Sequence, residues 1–268
     1  MSSPSHASSA PPRIQKLHWL LPLPILLLTA PIWLQPHEPS LFYLLNKSFS
    51  TLPDGLWAAL SMLGTGWCVY AMASPLLVRA PAVFVSWLCA APLAGVLTRL
   101  GKEWASNMRP LGVLEEKTIH VIGEPLYLAA MPSGHTMTSF AVATAIYFSL
   151  KPQTRKIHLW LFALAVCAGL SRIAVGAHWP ADVAVGAAAG VLSGLVGAWL
   201  AQKISPQHLQ PQSWLMRGVA ALGFYSFYVL LEDEMGFEQN MPLHYPLALL
   251  LAVSLIIFAR KSLQAKPV

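Results

Sequence analysis

Lys102, Arg109, Ser133, Gly134, His135, Arg172, His178 and Asp182 fall in three short polar islands within an otherwise oily sequence. The islands read Lys102-x6-Arg109-Pro110, Pro132-Ser133-Gly134-His135 and Ser171-Arg172-x5-His178-x3-Asp182. His178 and Asp182 are four residues apart, so a helix starting near Trp179-Pro180 places them one turn apart on one face. A carboxylate beside an imidazole fixes its tautomer and supports positive charge on the ring, which makes His178 a candidate nucleophile. Pro180 suits a first helical turn, where its missing N–H costs little.

The second island reads as a helix start. Ser133 is a predicted N-cap, followed by an apolar run that opens at Thr136. Free backbone N–H groups and the helix dipole make such an end an anion site. Gly134 removes a side chain where an anion must come close. His135 stands there as a candidate general acid. Lys102 and Arg109 bring a point charge and a bidentate fork, both suited to phosphate oxygens. With Arg172 they supply three cations, enough with the helix N–H groups to offset charge on a five-coordinate phosphoryl transition state. The sequence offers no carboxylate cluster to hold a metal pair, so the expected mechanism uses neither metal nor cofactor.

Each feature also has a plainer explanation. A Lys or Arg near a span end commonly snorkels to headgroups. A single His at a membrane edge is more often structural, and Ser-Gly before a helix is often a cap alone. None of these explains three islands at one face together with a His–Asp pair at helical spacing. Ionisable groups near membrane depth mark function.

The elements that must carry these residues are membrane helices. The 268-residue chain is 56% hydrophobic and only 10% charged, with a mean hydropathy of +0.56; soluble domains carry roughly 25% charged residues. Apolar runs of about 20 residues, the length that crosses a bilayer, recur along it. We expect an all-α polytopic bundle with spans near 17–35, 54–78, 81–101, 134–150, 157–176, 182–202, 214–231 and 243–259. Segment 39–51 is too short and mixed to cross and reads as an interfacial amphipathic helix. The expected organisation is a disordered cytoplasmic N-terminus over 1–16, a six-helix catalytic core over 17–202, and two added C-terminal helices with a short tail over 203–268. The first apolar stretch lacks a clean cleavage site and reads as a retained helix. Gly186, Gly190, Gly194 and Gly197 read as close helix packing.

The net charge of +6 does not imply nucleic acid, because the cations sit between apolar spans and form no stripe. Cys68, Cys89 and Cys167 lie in apolar segments without metal spacing and read as small core residues. A cytoplasmic N-terminus places eleven of the seventeen Lys and Arg residues inside, leaving Lys47, Arg99, Lys102, Arg109, Lys117 and Arg172 outside. That bias supports the orientation, in which the islands lie at the outer face, periplasmic in a bacterium.

The three-island pattern resembles the type 2 phosphatidic acid phosphatase superfamily, membrane lipid phosphatases related to vanadium haloperoxidases. The match holds at every signature position from Lys102 to Asp182. The resemblance implies that Lys102, Arg109, Ser133, Gly134 and Arg172 bind phosphate, that His178 forms a phosphohistidine, that Asp182 orients it and that His135 protonates the leaving group. It implies a membrane lipid phosphate or diphosphate as substrate, with no obligate protein partner. Family substrates include undecaprenyl diphosphate, towards which the reading leans, phosphatidylglycerol phosphate, phosphatidate and the phosphates of lipid A. Phosphotransfer to an acceptor other than water is the related alternative. A non-catalytic lipid transporter is the alternative from another class, and would spread its polar residues through the bundle.

Overall fold

The computed structural model describes residues 14–264. Residues 1–13, most of the segment expected to be disordered, and residues 265–268 lie outside it. Among the described residues every regular element is helical: α1 (Pro22–Leu28), α2 (Ala30–Trp33), α3 (Pro39–Phe49), α4 (Asp54–Ser61), α5 (Gly66–Ala73), α6 (Pro75–Arg79), α7 (Pro81–Ala105), α8 (Pro110–Val113), α9 (Gly134–Ser149), α10 (Pro152–Arg155), α11 (Trp160–Ala174), α12 (Pro180–Ala201), α13 (Trp214–Glu232) and α14 (Met241–Gln264), with short 3₁₀ turns between some of them. Proline opens many of these helices, at the position where its fixed φ helps and its missing N–H is not needed.

The chain is an integral membrane protein by length and composition. Five helical stretches are long and apolar enough to cross a bilayer, and the bent pair α4–α5 makes a sixth. Three of the eight expected spans depart from that pattern, and the one near 134–150 is α9, whose 16 residues are too few to count among these stretches. The stretch near 17–35 is broken into a 3₁₀ turn over Lys16–Leu20, then α1 and α2, with breaks at Leu21 and Thr29. Pro22, Pro24 and Pro31 explain this, since each removes a donor that one continuous helix would need. The stretch near 54–78 bends by 79° between Asp54–Gly64 and Gly66–Ala73.

Helix α12 lies at the centre, against α7 and α9, while α9 also packs on α7 and α11. Its glycines make this possible. A Cβ at Gly190 would sit 2.5 Å from the Met137 carbonyl oxygen, and one at Gly197 would sit 2.5 Å from that of Ser86. Small residues let helix backbones meet where lipid offers no hydrophobic drive.

Helix α3 docks by one face, burying Phe42 and Asn46. Phe42 meets Trp179 edge-on at 5.3 Å. Asn46 Nδ2 donates to the carbonyls of His120, Ile173 and Ala174 at 2.9, 3.1 and 3.1 Å, and its Oδ1 accepts from the His120 N–H. The bond to Ala174 satisfies a carbonyl left open where α11 ends. Helices α13 and α14 pack together and against α5. Tyr70 Oη donates to the Val219 carbonyl at 2.6 Å, and Ser74 Oγ to Ser254 Oγ at 3.0 Å. The C-terminal pair thus reaches the rest of the bundle through the bent span.

Candidate active site

The three islands converge at one end of the bundle because α7 and α11 end there while α9 and α12 begin there. Helix α12 starts as its sequence predicts, with Trp179 as N-cap and Pro180 in the first turn. Asp182 Oδ2 accepts the Trp179 N–H at 2.9 Å and lies 3.1 Å from His178 Nδ1. Both side chains are buried. The carboxylate draws the imidazole proton to Nδ1, leaving the Nε2 lone pair facing Arg109 Nη1 at 3.3 Å. Burial first, then the charges of Arg109 and Arg172, hold the His178 imidazole well below its ordinary pKa of 6.5. The ring is therefore neutral, with the nitrogen that could attack pointing at a guanidinium.

Arg109 is itself buried and held by backbone. Its Nε donates to the Leu128 carbonyl at 2.7 Å and its Nη1 to the Ala177 carbonyl at 3.0 Å. Its own N–H donates to the Tyr127 carbonyl at 2.9 Å. Carbonyls of the loop between α8 and α9 thus fix this fork in place. Trp179 Nε1 donates to the Met108 carbonyl at 2.9 Å and ties the first and third islands together.

Arg172 is 3% exposed. Its Nη1 donates to Ser61 Oγ at 3.0 Å, its guanidinium lies 5.6 Å from the Phe237 ring centre, and its Nε has no hydrogen-bond partner among the described residues. The turn after it needs Gly176, whose φ of +75° sets it against the His120 carbonyl. Ser133 is the N-cap of α9, accepting from the Thr136 N–H at 3.4 Å and the Thr136 hydroxyl at 2.9 Å. Its own N–H donates to the Asp182 carbonyl at 3.0 Å, so the starts of α9 and α12 are joined directly. Gly186, the next turn of α12 after Asp182, lets Ser133 approach: a Cβ there would lie 2.7 Å from the Ser133 carbonyl oxygen. His135 Nε2 is 3.4 Å from Thr65 Oγ1. Lys102, Gly134 and His135 line one cavity.

All eight residues singled out in the sequence therefore meet in one region. Ser61 and Thr65 were not anticipated. They arrive through the bend between α4 and α5, where Gly64 lies so close to His135 that a Cβ would sit 2.6 Å from the His135 Cβ. The signal was the Gly64-Thr65-Gly66 interruption in an apolar run. Among the described residues no group of three or more His, Cys, Asp or Glu side chains is placed to hold an ion.

Residues 82–206 match the PAP2 superfamily. A lipid A 1-phosphatase from Porphyromonas gingivalis is 31% identical over 112 residues, 42% of this chain and 22% of that protein. The bacitracin transport permease protein BcrC from Bacillus licheniformis is 35% identical over 116 residues, 43% of this chain and 54% of that protein. The matches thus span little more than half of one curated relative and under a quarter of the other. The crystal structure of Aquifex aeolicus LpxE aligns with a TM-score of 0.51 at 29% identity, covering 59% of this chain and 92% of that one. A transmembrane PAP2-type phosphatidylglycerolphosphate phosphatase from Bacillus subtilis shares the fold, with a TM-score of 0.52 at 18% identity over 70% of this chain and 98% of that one. Every island, from Lys102 to Asp182, lies inside the segment that matches the PAP2 superfamily.

Proposed function

We propose that the chain is a lipid phosphatase that takes phosphate from a membrane lipid phosphate or diphosphate through a phosphohistidine at His178. The observation that carries this reading is the relay Asp182–His178–Arg109, a neutral imidazole whose free nitrogen lies 3.3 Å from a buried guanidinium. A phosphate drawn in by Arg109, Arg172 and Lys102 meets that lone pair. The Nε2–P bond forms as the P–O bond to the lipid breaks, and His135 gives the leaving oxygen its proton. Asp182 balances the charge that develops on the ring. Water, deprotonated by His135, then cleaves the N–P bond, releasing phosphate and regenerating both histidines.

The substrate class follows from the site's place in the bundle and from what the relatives are called. One relative is named a lipid A 1-phosphatase. The charge bias of the loops supports a cytoplasmic N-terminus and an outward, periplasmic site in a bacterial inner membrane. A polyprenyl diphosphate such as undecaprenyl diphosphate is the substrate we favour, with lipid A phosphates, phosphatidylglycerol phosphate and phosphatidate as alternatives. The other relative's name speaks of transport. A nucleophile, its orienting carboxylate and an adjacent acid in one place favour group transfer instead.

Trapping tests the proposal. Brief exposure of the purified protein to a radiolabelled lipid diphosphate, followed by alkaline denaturation, should leave acid-labile label on wild type and none on folded His178→Ala. Label surviving in His178→Ala would overturn the assignment.

A further inference from the structure

The cavity that holds Lys102 and His135 does not stop at the site. It is a groove of about 510 Å³ between α7 and α9, continuing along Thr98, Gly95, Ala91 and Trp87 of α7 and along Val142 of α9. Those α7 positions recur every three or four residues, which makes one continuous helix face. Lys102 and Trp87 are fifteen residues apart, about 22 Å along a helix rising 1.5 Å per residue. One leaflet contributes about half of a hydrocarbon core roughly 30 Å thick. The groove is therefore polar where the phosphate chemistry sits, apolar below, and as deep as a lipid chain needs.

Two features set its bore. Trp87 is 5% exposed and braced edge-on by Phe84 and Tyr70, at 5.5 and 6.0 Å between ring centres, so it makes a firm wall at the deep end. Gly95 lies midway. A Cβ built on it meets no atom within 4 Å, unlike the packing glycines of α12, so its missing side chain serves open space.

We infer that this groove seats one hydrocarbon chain of the substrate, with its phosphate at His178 and its chain running down α7 towards Trp87, and that Gly95 keeps the passage open to long chains. The inference rests on the lipid phosphatase reading above. It adds a specificity position that lies about 10 Å of helix rise from Lys102.

The test pairs turnover with labelling, in lipid nanodiscs. Monoalkyl phosphates differing only in chain length give kcat/KM ratios of long to short chain. A long-chain alkyl phosphate with a diazirine at its far end reports where the chain lies. Wild type should be labelled at or beside Trp87. Gly95→Leu should lose that label, and its long-to-short ratio should fall about tenfold or more, the scale on which apolar pockets discriminate by size. Gly218→Leu, made on α13 where an added side chain also meets open space, should keep both readouts. If Gly95→Leu does not fold, Gly95→Ala should lower the ratio in the same direction by less. An unchanged ratio in Gly95→Leu, or labelling confined to other helices, would overturn the groove. Labelling at Trp87 without turnover of any phosphate would leave the groove standing and reject the phosphatase reading.

Discussion

Arg172 donates from Nη1 to Ser61 Oγ across 3.0 Å, joining the end of α11 to the bend in the second span. Ser61 is buried and also lies 3.0 Å from Ser171 Oγ. This contact decides where the buried Arg172 guanidinium points, yet neither partner sits near the other in sequence. Ser61→Ala would leave a second buried guanidinium N–H without a partner beside Nε. A hydrogen bond to a charged group is worth about 1.5–3 kcal/mol. We expect kcat/KM to fall about 10- to 100-fold, with weaker inhibition by vanadate, while the protein still purifies folded. Unchanged vanadate affinity in Ser61→Ala would show that Arg172 is positioned without it.

The Asp182–His178 pair predicts both a tautomer and a titration. Burial and the neighbouring cations lower the His178 pKa, so its neutral form should persist as pH falls through 6.5, where an ordinary histidine is half protonated. Ring ¹⁵N shifts, assigned by comparison with His178→Ala, should show the Nδ1–H tautomer at pH 6.5. Asp182→Asn offers an amide N–H in place of an acceptor and should move the proton to Nε2. Removing the attacking lone pair in this way should lower kcat about 10²- to 10⁴-fold, on the scale known for the equivalent change in serine proteases. A His178 ring that protonates at or above pH 6.5 would contradict the electrostatics described here.

Much of this site could be read from the chain because its residues sit at helix ends, where short motifs fix geometry. Four-residue spacing placed His178 over Asp182, and Ser133 ahead of an apolar run announced an N-cap. What stayed hidden depends on distant contacts. Ser61 looks like any small residue of an apolar span until the bend at Gly64-Thr65 turns it inward. Asn46 reads as a polar residue of an amphipathic segment, but its amide closes the end of α11. The segmentation near 17–35 was legible in principle: three prolines in ten residues do not suit one straight helix, although hydropathy alone reports a span.

Orientation is open to a direct labelling experiment. The basic residues Arg79, Lys151, Arg155, Lys156 and Lys203 stand at the ends of helices remote from the site, or in the turns that follow them. In a background without Cys68, Cys89 and Cys167, cysteines at Glu115 and Glu234 should react with an impermeant thiol reagent added to intact cells. One at Thr154 should react only after the membrane is opened. The reverse pattern would place the chemistry in the cytoplasm.

Leaving-group chemistry separates the substrate classes and defines the role of His135. A lipid phosphate monoester expels an alkoxide, which needs a proton as the P–O bond breaks. A lipid diphosphate expels a phosphate monoester, which departs far more readily. General-acid assistance is typically worth about 10²- to 10⁴-fold, and the gain shrinks as the leaving group improves. His135 stands beside Lys102 at the head of the groove, with Nε2 3.4 Å from Thr65 Oγ1. His135→Ala should therefore cost phosphatidate more than a polyprenyl diphosphate. Arg109→Ala should impair both alike, because phosphate charge must be offset whichever bond breaks. The comparison is read from kcat/KM on the two substrates under conditions where a solvent isotope effect shows that proton transfer limits the monoester reaction. Equal losses in His135→Ala would then mean that its ring binds phosphate and does not carry the leaving-group proton.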